Sequence, residues 1–313
     1  MRLTSRVVDF FWGPADPRAY ALVRIALAIG GMVNLIDLWP HRFEFYASTG
    51  MVSLGAVHES MHGYRYFSVF DYVGSEGAVT VVFAAAAIAL VALGLGVFPR
   101  IAAIVVLLWH LSSSHRAPPI LHGWDHILRI YSLLVLVSPM PRVWRAGQRA
   151  DDVDADTAVP AYGLRLMQWQ LAVIYVTTVW QKLPDPYWRN GQLLAYFSVS
   201  LFSRDPDTLF LIRHEWLSAL ATYVSLAIEA SIPWLLWSRR GRMLGFLAGF
   251  GLHFMVAVTA RIAIFSTCVM MPYLAFLEHA DIDWLSALVR SRSPGQLLGL
   301  VRTGRAEPRE RKV

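Results

Sequence analysis

The sequence predicts an all-α protein, a polytopic transmembrane helical bundle of about eight spans with a short interfacial or re-entrant helix. The first observation is composition: apolar residues make up 56% of the 313 residues, charged residues only 16%, and mean hydropathy is +0.45. The second is that apolar runs of about 20 residues without a polar face recur along the chain, as expected of helices that cross a hydrocarbon core. The chain is therefore expected to be an integral membrane protein.

The spans are predicted where these apolar runs lie. The first run is long and is expected to be a retained span, because it lacks the short apolar region and cleavage site of a signal peptide. The eight predicted spans are 18–39, 77–98, 100–115, 122–139, 160–183, 215–238, 241–260 and 262–279.

Three segments lie outside these spans. Residues 40–76 are predicted to form a long polar and aromatic loop. The segment 188–203, WRNGQLLAYFSVSLFS, is too short to cross a membrane and follows two prolines, so it is predicted to be an interfacial or re-entrant helix. Residues 281–313 are predicted to be a basic, frayed cytoplasmic tail, which leaves 1–280 as one transmembrane domain.

Arginine placement predicts the orientation. The side that holds both termini carries sixteen Lys and Arg residues, counted over the N-terminus, the turn at 99–100, the loop 140–159, residues 238–242 and the tail, whereas the loops on the opposite side carry seven. Because cytoplasmic loops are enriched in Lys and Arg, both termini are predicted to be cytoplasmic. The net charge of +6 is thus a topology signal, and no nucleic-acid partner is expected. The single cysteine, Cys268, excludes an intramolecular disulfide and a cysteine-based metal site.

Ionisable groups within the spans form an inner layer and an outer layer. Each costs about 2.5–3.5 kcal/mol on insertion scales, so such groups mark functional sites or buried pairs. Arg24, Arg165 and Glu229 fall in the inner half or near the middle of the membrane. One acid and two arginines can neutralise one another, so a structural role in helix packing is predicted for them.

The outer layer holds four nitrogen bases on the extracytoplasmic side. Lys182 ends the fifth span, and His110, His126 and His253 lie about 6–10 Å from the outer ends of three other spans, at 1.5 Å per residue. Lys182 shares a helical stripe with Tyr175. His253 continues a ladder of glycines spaced by four, which lets another helix approach closely. Both faces are therefore predicted to point into the bundle.

The stretch LHGWDHILRI adds polar groups at the start of the fourth span. Asp125 can pair with Arg129 at i,i+4 spacing, and His122 and His126 stack in the same way. These groups could bind a metal from one helix face, but no glutamate follows the first histidine as in the zinc-protease motif. No metal is expected. A membrane histidine such as His110 can equally be a hydrogen-bonded packing residue.

Lysine is rare in this chain. Lys182 and Lys312 are the only two, and the other 26 basic residues are arginines. A lysine at a helix end can be an interfacial cation that snorkels to water. Arginine would snorkel equally well, whereas only an amine can lose its proton when it is desolvated. The sequence therefore predicts that Lys182 is a base.

Three stretches resemble a known family, the HTTM domain, which is shared by vitamin K-dependent gamma-carboxylase and bacterial relatives. The stretch RLMQWQLAVIYVTTVWQKLPDPYWRNG resembles its signature through Arg165, Gln170, Tyr175, Lys182, Leu183, Trp188 and Gly191. GWDHILRI resembles its Asn/Asp-His pair through Asp125 and His126, and LHFMVAVTARIAIFSTCVMMPYLAFL its His-then-Phe stretch through His253 and Phe265. The resemblance covers about residues 10–280.

The resemblance implies a carboxylase-like membrane enzyme that uses a reduced quinone of vitamin K hydroquinone or menaquinol type, with O2 and CO2 as co-substrates. Lys182 would be the base that deprotonates the quinol, His126 its hydrogen-bond partner, and His253 a group that contacts the quinol or its oxyanion. The other expected quinol-binding residues are Tyr175, Trp188, Asp125, Arg129 and His110. The substrate would be a secreted or membrane-delivered polypeptide, modified at glutamate on the outer face of a bacterial inner membrane.

Two departures from the carboxylase leave another reading open. Asp125 stands where the carboxylase has Asn, and Gln181 stands where it has a second lysine. The alternative is a non-enzymatic maturation or assembly factor for an exported peptide, whose polar layer binds that peptide or a partner membrane protein. A transporter is disfavoured, because the polar groups form a one-sided layer and not a relay across the bilayer.

Overall fold

A computed structural model describes residues 2–60, 62, 67–147, 158–204 and 209–290. Over these residues the protein is all-α apart from one antiparallel pair of two-residue strands, β1 (Pro14–Ala15) and β2 (Val159–Pro160). The α-helices of the described residues are, in chain order, α1 (Arg2–Trp12), α2 (Pro17–Leu38), α3 (Arg42–Tyr46), α4 (Leu54–Ser60), α5 (Glu76–Leu95), α6 (Pro99–Arg116), α7 (Gly123–Val137), α8 (Tyr162–Lys182), α9 (Pro186–Arg189), α10 (Leu193–Ser198), α11 (Phe210–Arg213), α12 (Glu215–Trp237), α13 (Arg242–Thr259), α14 (Ala263–Met270) and α15 (His279–Arg290).

A helix occupies each of the eight predicted runs, yet the number of membrane crossings is supported only in part. Four helical segments of the described residues are long and apolar enough to cross a membrane, namely Pro17–Tyr46, α5, α12 and α13. The predicted eighth span is broken, because α14 gives way to the 3-10 helix Met271–Phe276. The protein is therefore a helical membrane protein, and the count of about eight spans stays a prediction.

Helix α2 lies at the centre of the bundle. It packs against α5, α7, α14 and the 3-10 helix Met271–Phe276. Val23 and Leu27 on its inner faces are fully buried. Gly30 and Gly31 keep its surface flat, so that side chains of α5, α6, α7 and α14 lie directly against its backbone. Helix α2 thereby fixes the positions of the helices around it.

One end of α2 is tied to the chain segment that follows the 3-10 helix. Asp16 caps α2 and accepts hydrogen bonds from Arg18, whose guanidinium also bonds Asp283 in α15 at 2.6 Å. Two more residues of α15 contribute: His279 Nδ1 lies 2.9 Å from Asp16 Oδ2, and the Ile282 side chain is buried. The prediction of a frayed tail over 281–313 is therefore wrong for the part that belongs to α15, because charged and apolar contacts anchor it; residues 291–313 lie outside the described residues.

The predicted interfacial helix over 188–203 is two short helices, α9 and α10, separated by a turn. Gly191 in that turn has φ +68°, and a side chain there would overlap Ala219 of α12. Ser218 donates a hydrogen bond to the Gly191 carbonyl oxygen at 3.0 Å, and Tyr223 donates one to the Arg189 carbonyl oxygen at 2.7 Å. The turn is therefore packed against the first half of α12, so that α12 extends past the end of α8.

The charge of Asp16 is expected to stabilise the fold in a pH-dependent manner. Burial alone raises the pKa of Asp16, but the hydrogen bonds and charge of Arg18 outweigh it and hold the pKa below its usual value. The stabilisation by the Asp16 carboxylate is thus fully present above about pH 4, which is the pKa of an aspartate in the unfolded chain. It is lost as the pH falls through the lower pKa of Asp16 in the folded protein. We expect Asp16→Asn, which can still cap α2, to cost about 1–3 kcal/mol at neutral pH and progressively less below pH 4.

Thermal unfolding of the detergent-solubilised protein between pH 3 and 7 measures this difference. Asp9→Asn, at an exposed site of α1, is the matched control and should behave as wild type. A gap between wild type and Asp16→Asn that does not narrow with falling pH would contradict the role assigned to this carboxylate.

Orientation is testable by cysteine accessibility. Asn190 and Arg239 are exposed and lie at opposite ends of the predicted topology, whereas Cys268 is buried and can be replaced by alanine. We expect a membrane-impermeant maleimide to label Asn190→Cys in intact cells, and Arg239→Cys only after the cells are permeabilised. Labelling of Arg239→Cys alone in intact cells would reverse the orientation.

Candidate functional site

Lys182, the last residue of α8, forms an ion pair with Glu229 in the middle of α12. Its Nζ lies 2.6 Å from both carboxylate oxygens of Glu229 and 4.3 Å from the centre of the Trp188 ring. The side chains of the pair are only 20% and 14% exposed. Helices α8, α9 and α12 therefore enclose the Lys182 ammonium group between the Glu229 carboxylate and the Trp188 ring.

The prediction that Glu229 neutralises Arg24 and Arg165 is wrong, because both arginines bind oxygen acceptors elsewhere. Arg24 donates to the Trp144 carbonyl oxygen at 2.8 Å. Arg165 donates to Gln168 Oε1 at 2.9 Å and to the carbonyl oxygen of Phe10, whose ring it also covers. Glu229, which the sequence placed in the inner layer, is thus the partner of Lys182, which it placed in the outer layer.

A buried chain of hydrogen bonds lies deeper on the same face of α8. The Tyr175 hydroxyl is 2.7 Å from His253 Nε2 and 2.6 Å from the Tyr273 hydroxyl. All three side chains are at least 95% buried, and the Phe265 ring lies 5.9 Å from that of His253. Among the described residues, His253 Nδ1 is buried without a hydrogen-bond partner. The chain therefore ends in one buried polar atom that has no partner in the described residues.

The ion pair and the hydrogen-bond chain lie on the same face of α8. Tyr175 precedes Lys182 by seven residues, which is two helical turns or about 10 Å along the helix axis. The structure thus brings together four residues predicted from the sequence, namely Lys182, Tyr175, Trp188 and His253.

Sequence reasoning missed Glu229 and Tyr273 as site residues. Glu229 is the only acid in the interior of α12. Since Lys182 is the single interior lysine, this lone acid could have been predicted from the sequence to be its partner. Tyr273 follows Pro272 within the stretch that carries the His-then-Phe resemblance, but its approach to Tyr175 depends on the 3-10 helix. A side chain at Gly249 would overlap the Tyr273 ring, so this glycine permits the contact.

His126 is not the hydrogen-bond partner of Lys182 in this structure. Its Nδ1 accepts from Arg129 Nη2 at 3.0 Å, and its side chain is exposed. Asp125 does not pair with Arg129 either, because its oxygens accept from the backbone N–H of His122 at 2.8 Å and from Asn34 Nδ2 at 3.3 Å. These groups lie at the start of α7, and no hydrogen bond of the described residues joins them to the Lys182 site.

His110 is buried in α6 and packs beside Gly31 of α2. Its Nε2 has no hydrogen-bond partner in the described part of the chain, and no such bond connects it to the Lys182 site. Within the same residues, no group of three or more His, Cys, Asp or Glu side chains could hold a metal ion.

The arrangement offers a charged pair and a chain of hydrogen-bonding groups beside aromatic rings. Lys182 donates two short hydrogen bonds to the Glu229 carboxylate. Tyr175 links His253 to Tyr273 through hydroxyl groups that donate and accept, while Trp188 and Phe265 add aromatic faces. These groups can make hydrogen bonds to hydroxyl or carbonyl oxygens.

Comparison with known proteins identifies the family of the chain. A family model of the HTTM domain matches residues 12–284, which is nearly the whole chain. Neither a curated protein nor a solved structure matches it. The matched residues contain every residue of the Lys182 site, and the chain belongs to the HTTM domain family, the family of vitamin K-dependent carboxylase-like membrane proteins.

Proposed function

We propose that this chain is a carboxylase-like integral membrane enzyme in which Lys182 is the base that acts on a reduced quinone of vitamin K hydroquinone or menaquinol type. The observation that carries the proposal is the enclosure of the single interior lysine by Glu229 and Trp188, beside the buried Tyr175–His253–Tyr273 chain. A purely structural cation could be one of the arginines that the chain uses elsewhere.

Glu229 gives the lysine a partner that can take its proton. In the charged state, the carboxylate holds the ammonium in place through two short hydrogen bonds. To act as a base, Lys182 must first pass a proton on, and the Glu229 carboxylate is the acceptor in direct contact with it. Because the two groups touch, this transfer needs no solvent molecule. Glu229 would therefore take the supporting role that the family resemblance assigned to His126.

The residues present fit a reduced quinone. The unpartnered His253 Nδ1 can make a hydrogen bond to a hydroxyl or carbonyl oxygen, and the Trp188 and Phe265 rings can contact the quinone ring. Lys182, two helical turns beyond Tyr175 on α8, would receive the hydroxyl proton. When bound, the quinol would supply, together with O2, a base strong enough for a carbon acid that no amine can deprotonate.

The proposed substrate class rests on the resemblance to the family. We propose that a secreted or membrane-delivered polypeptide is modified at glutamate with CO2, at the outer face of the inner membrane of a bacterium, with both termini cytoplasmic. Family membership and the site at Lys182 support this proposal. The other candidate, a non-enzymatic maturation or assembly factor for an exported peptide, would not need a base at residue 182.

Replacement of Lys182 by arginine tests the base directly. Arginine can keep the ion pair with Glu229 but stays protonated, so we expect Lys182→Arg to fold normally and to lose about 10²–10⁴-fold in activity, as much as Lys182→Ala. Activity is measured with the purified protein, a short-chain menaquinol and labelled bicarbonate, as quinol-dependent O2 uptake and incorporation of label into exported polypeptides.

Two further variants sharpen this test. Glu229→Gln removes the proton acceptor and should lower the rate, whereas Glu215→Gln, at an exposed position of the same helix, should not. Full activity in Lys182→Arg would refute the base assignment. Normal peptide maturation in cells that carry Lys182→Ala would favour the non-enzymatic factor.

His253 is expected to govern quinol affinity. Its Nδ1 is the free polar atom of the site, so we expect His253→Gln to raise the KM for the quinol about tenfold, a loss typical of one buried hydrogen bond. His110→Gln, which also changes a buried histidine, should alter thermal stability without changing this KM. Equal KM effects of the two variants would show that quinol does not bind at His253.

A further inference from the structure

A cavity of about 210 Å³ is lined by none of the residues of the Lys182 site. It is formed where α2 and α6 end, α3 passes and α7 begins, in the described part of the chain. Six of the residues that line it are Asn34, Asp37, Phe45, Tyr46, Trp124 and Asp125. Two carboxylates and three aromatic rings thus face one space.

The carboxylate of Asp125 is half-buried and forms no ion pair with a Lys or Arg side chain among the described residues, although the imidazoles of His122 and His126 lie near it. Its hydrogen bonds come from two neutral donors, Asn34 Nδ2 and the backbone N–H of His122. Arg129, the expected partner, is bonded to His126. A partly desolvated charge without an opposite charge is costly, and a cationic ligand in the cavity would offset that cost.

The walls of the cavity are suited to a cation. Trp124 is held in place by a hydrogen bond from its Nε1 to Asn34 Oδ1 at 2.9 Å, and the His122 ring stacks on it at 4.1 Å between centroids. Asp37 is exposed and adds a second negative charge. His41, the other histidine of the lining, has its Nδ1 at 2.9 Å from Glu44. Aromatic faces and carboxylates together attract ammonium and guanidinium groups.

The size of the cavity limits what enters it. Pockets that hold a whole small molecule usually measure about 300–1,000 Å³, whereas this cavity is smaller. It can hold the end of a side chain more readily than a complete cofactor. We infer that the cavity between α2, α3, α6 and α7 binds a basic side chain, Lys or Arg, of a polypeptide that visits this end of the bundle.

This inference goes beyond the proposed function, because it concerns another cavity and requires no chemistry at Lys182. It adds a recognition element: a polypeptide would be selected by a basic residue at Asp125, wherever its modified residue lies. A peptide carboxylate in the same cavity would be repelled.

Calorimetric titration of the purified, detergent-solubilised protein tests the inference. The probes are three acetylated and amidated pentapeptides that differ at the central position, which is Lys, norleucine or Glu. We expect the Lys peptide to bind at least about tenfold more tightly than the other two, and more weakly with added salt. Asp125→Asn, which keeps the shape of the side chain, should weaken that binding about tenfold, and Asp37→Asn about threefold.

Controls separate this inference from the proposed function. Glu76→Gln removes an exposed acid outside the cavity and should bind the Lys peptide as wild type does. Lys182→Ala should also bind it normally, even if it has no activity. Equal binding of the three peptides overturns the inference. Unchanged binding of the Lys peptide in both Asp125→Asn and Asp37→Asn also overturns it. If Asp125→Asn does not fold, the binding measured with Asp37→Asn, a change at an exposed residue, provides the test. Butylamine that binds as tightly as the Lys peptide would assign the cavity to free amines and overturn the polypeptide ligand.

Discussion

The bond between Lys182 and Glu229 is the interaction on which the site depends. A lone ammonium or a lone carboxylate in an apolar bundle would cost several kcal/mol, whereas the pair with its short hydrogen bonds offsets most of that cost. The pair also joins α8 to α12, so the helix that carries Tyr175 is held at a fixed height against its neighbour. The compensation of the two buried charges, the relative position of α8 and α12 and the proposed role of Lys182 therefore all depend on this one ion pair.

The helices were predictable because hydrophobicity is a local property of the chain. All eight apolar runs contain helices, and the resemblance of the stretch around Lys182 identified the family that nearly the whole chain matches. The pairing of charges was not predictable in the same way. Depth counted from helix ends put Glu229 in an inner layer, but the turn at Gly191 is packed against α12 and shifts α12 relative to α8.

The breaks in regular structure explain the remaining differences. The predicted eighth span over 262–279 changes to a 3-10 helix, and Tyr273 in that helix contacts Tyr175. Asp125 and Arg129 have the spacing of a helical ion pair, yet Asn34 and the cap of α7 compete for Asp125, and His126 competes for Arg129. Spacing along one helix shows which contacts are possible, and neighbouring helices decide which are made.

The position of Tyr175 between His253 and Tyr273 has a consequence for ligands in different oxidation states. If the Tyr175 hydroxyl donates to His253 Nε2, the imidazole proton lies on Nδ1, which then donates to a carbonyl oxygen. If it donates to Tyr273 instead, the proton lies on Nε2 and Nδ1 accepts from a hydroxyl group. Exchange between these tautomers requires one ring nitrogen to gain a proton while the other loses one, and the two tyrosine hydroxyl groups turn to follow it. In either tautomer Nε2 keeps its partner Tyr175, and Nδ1 offers a donor or an acceptor without the movement of a helix.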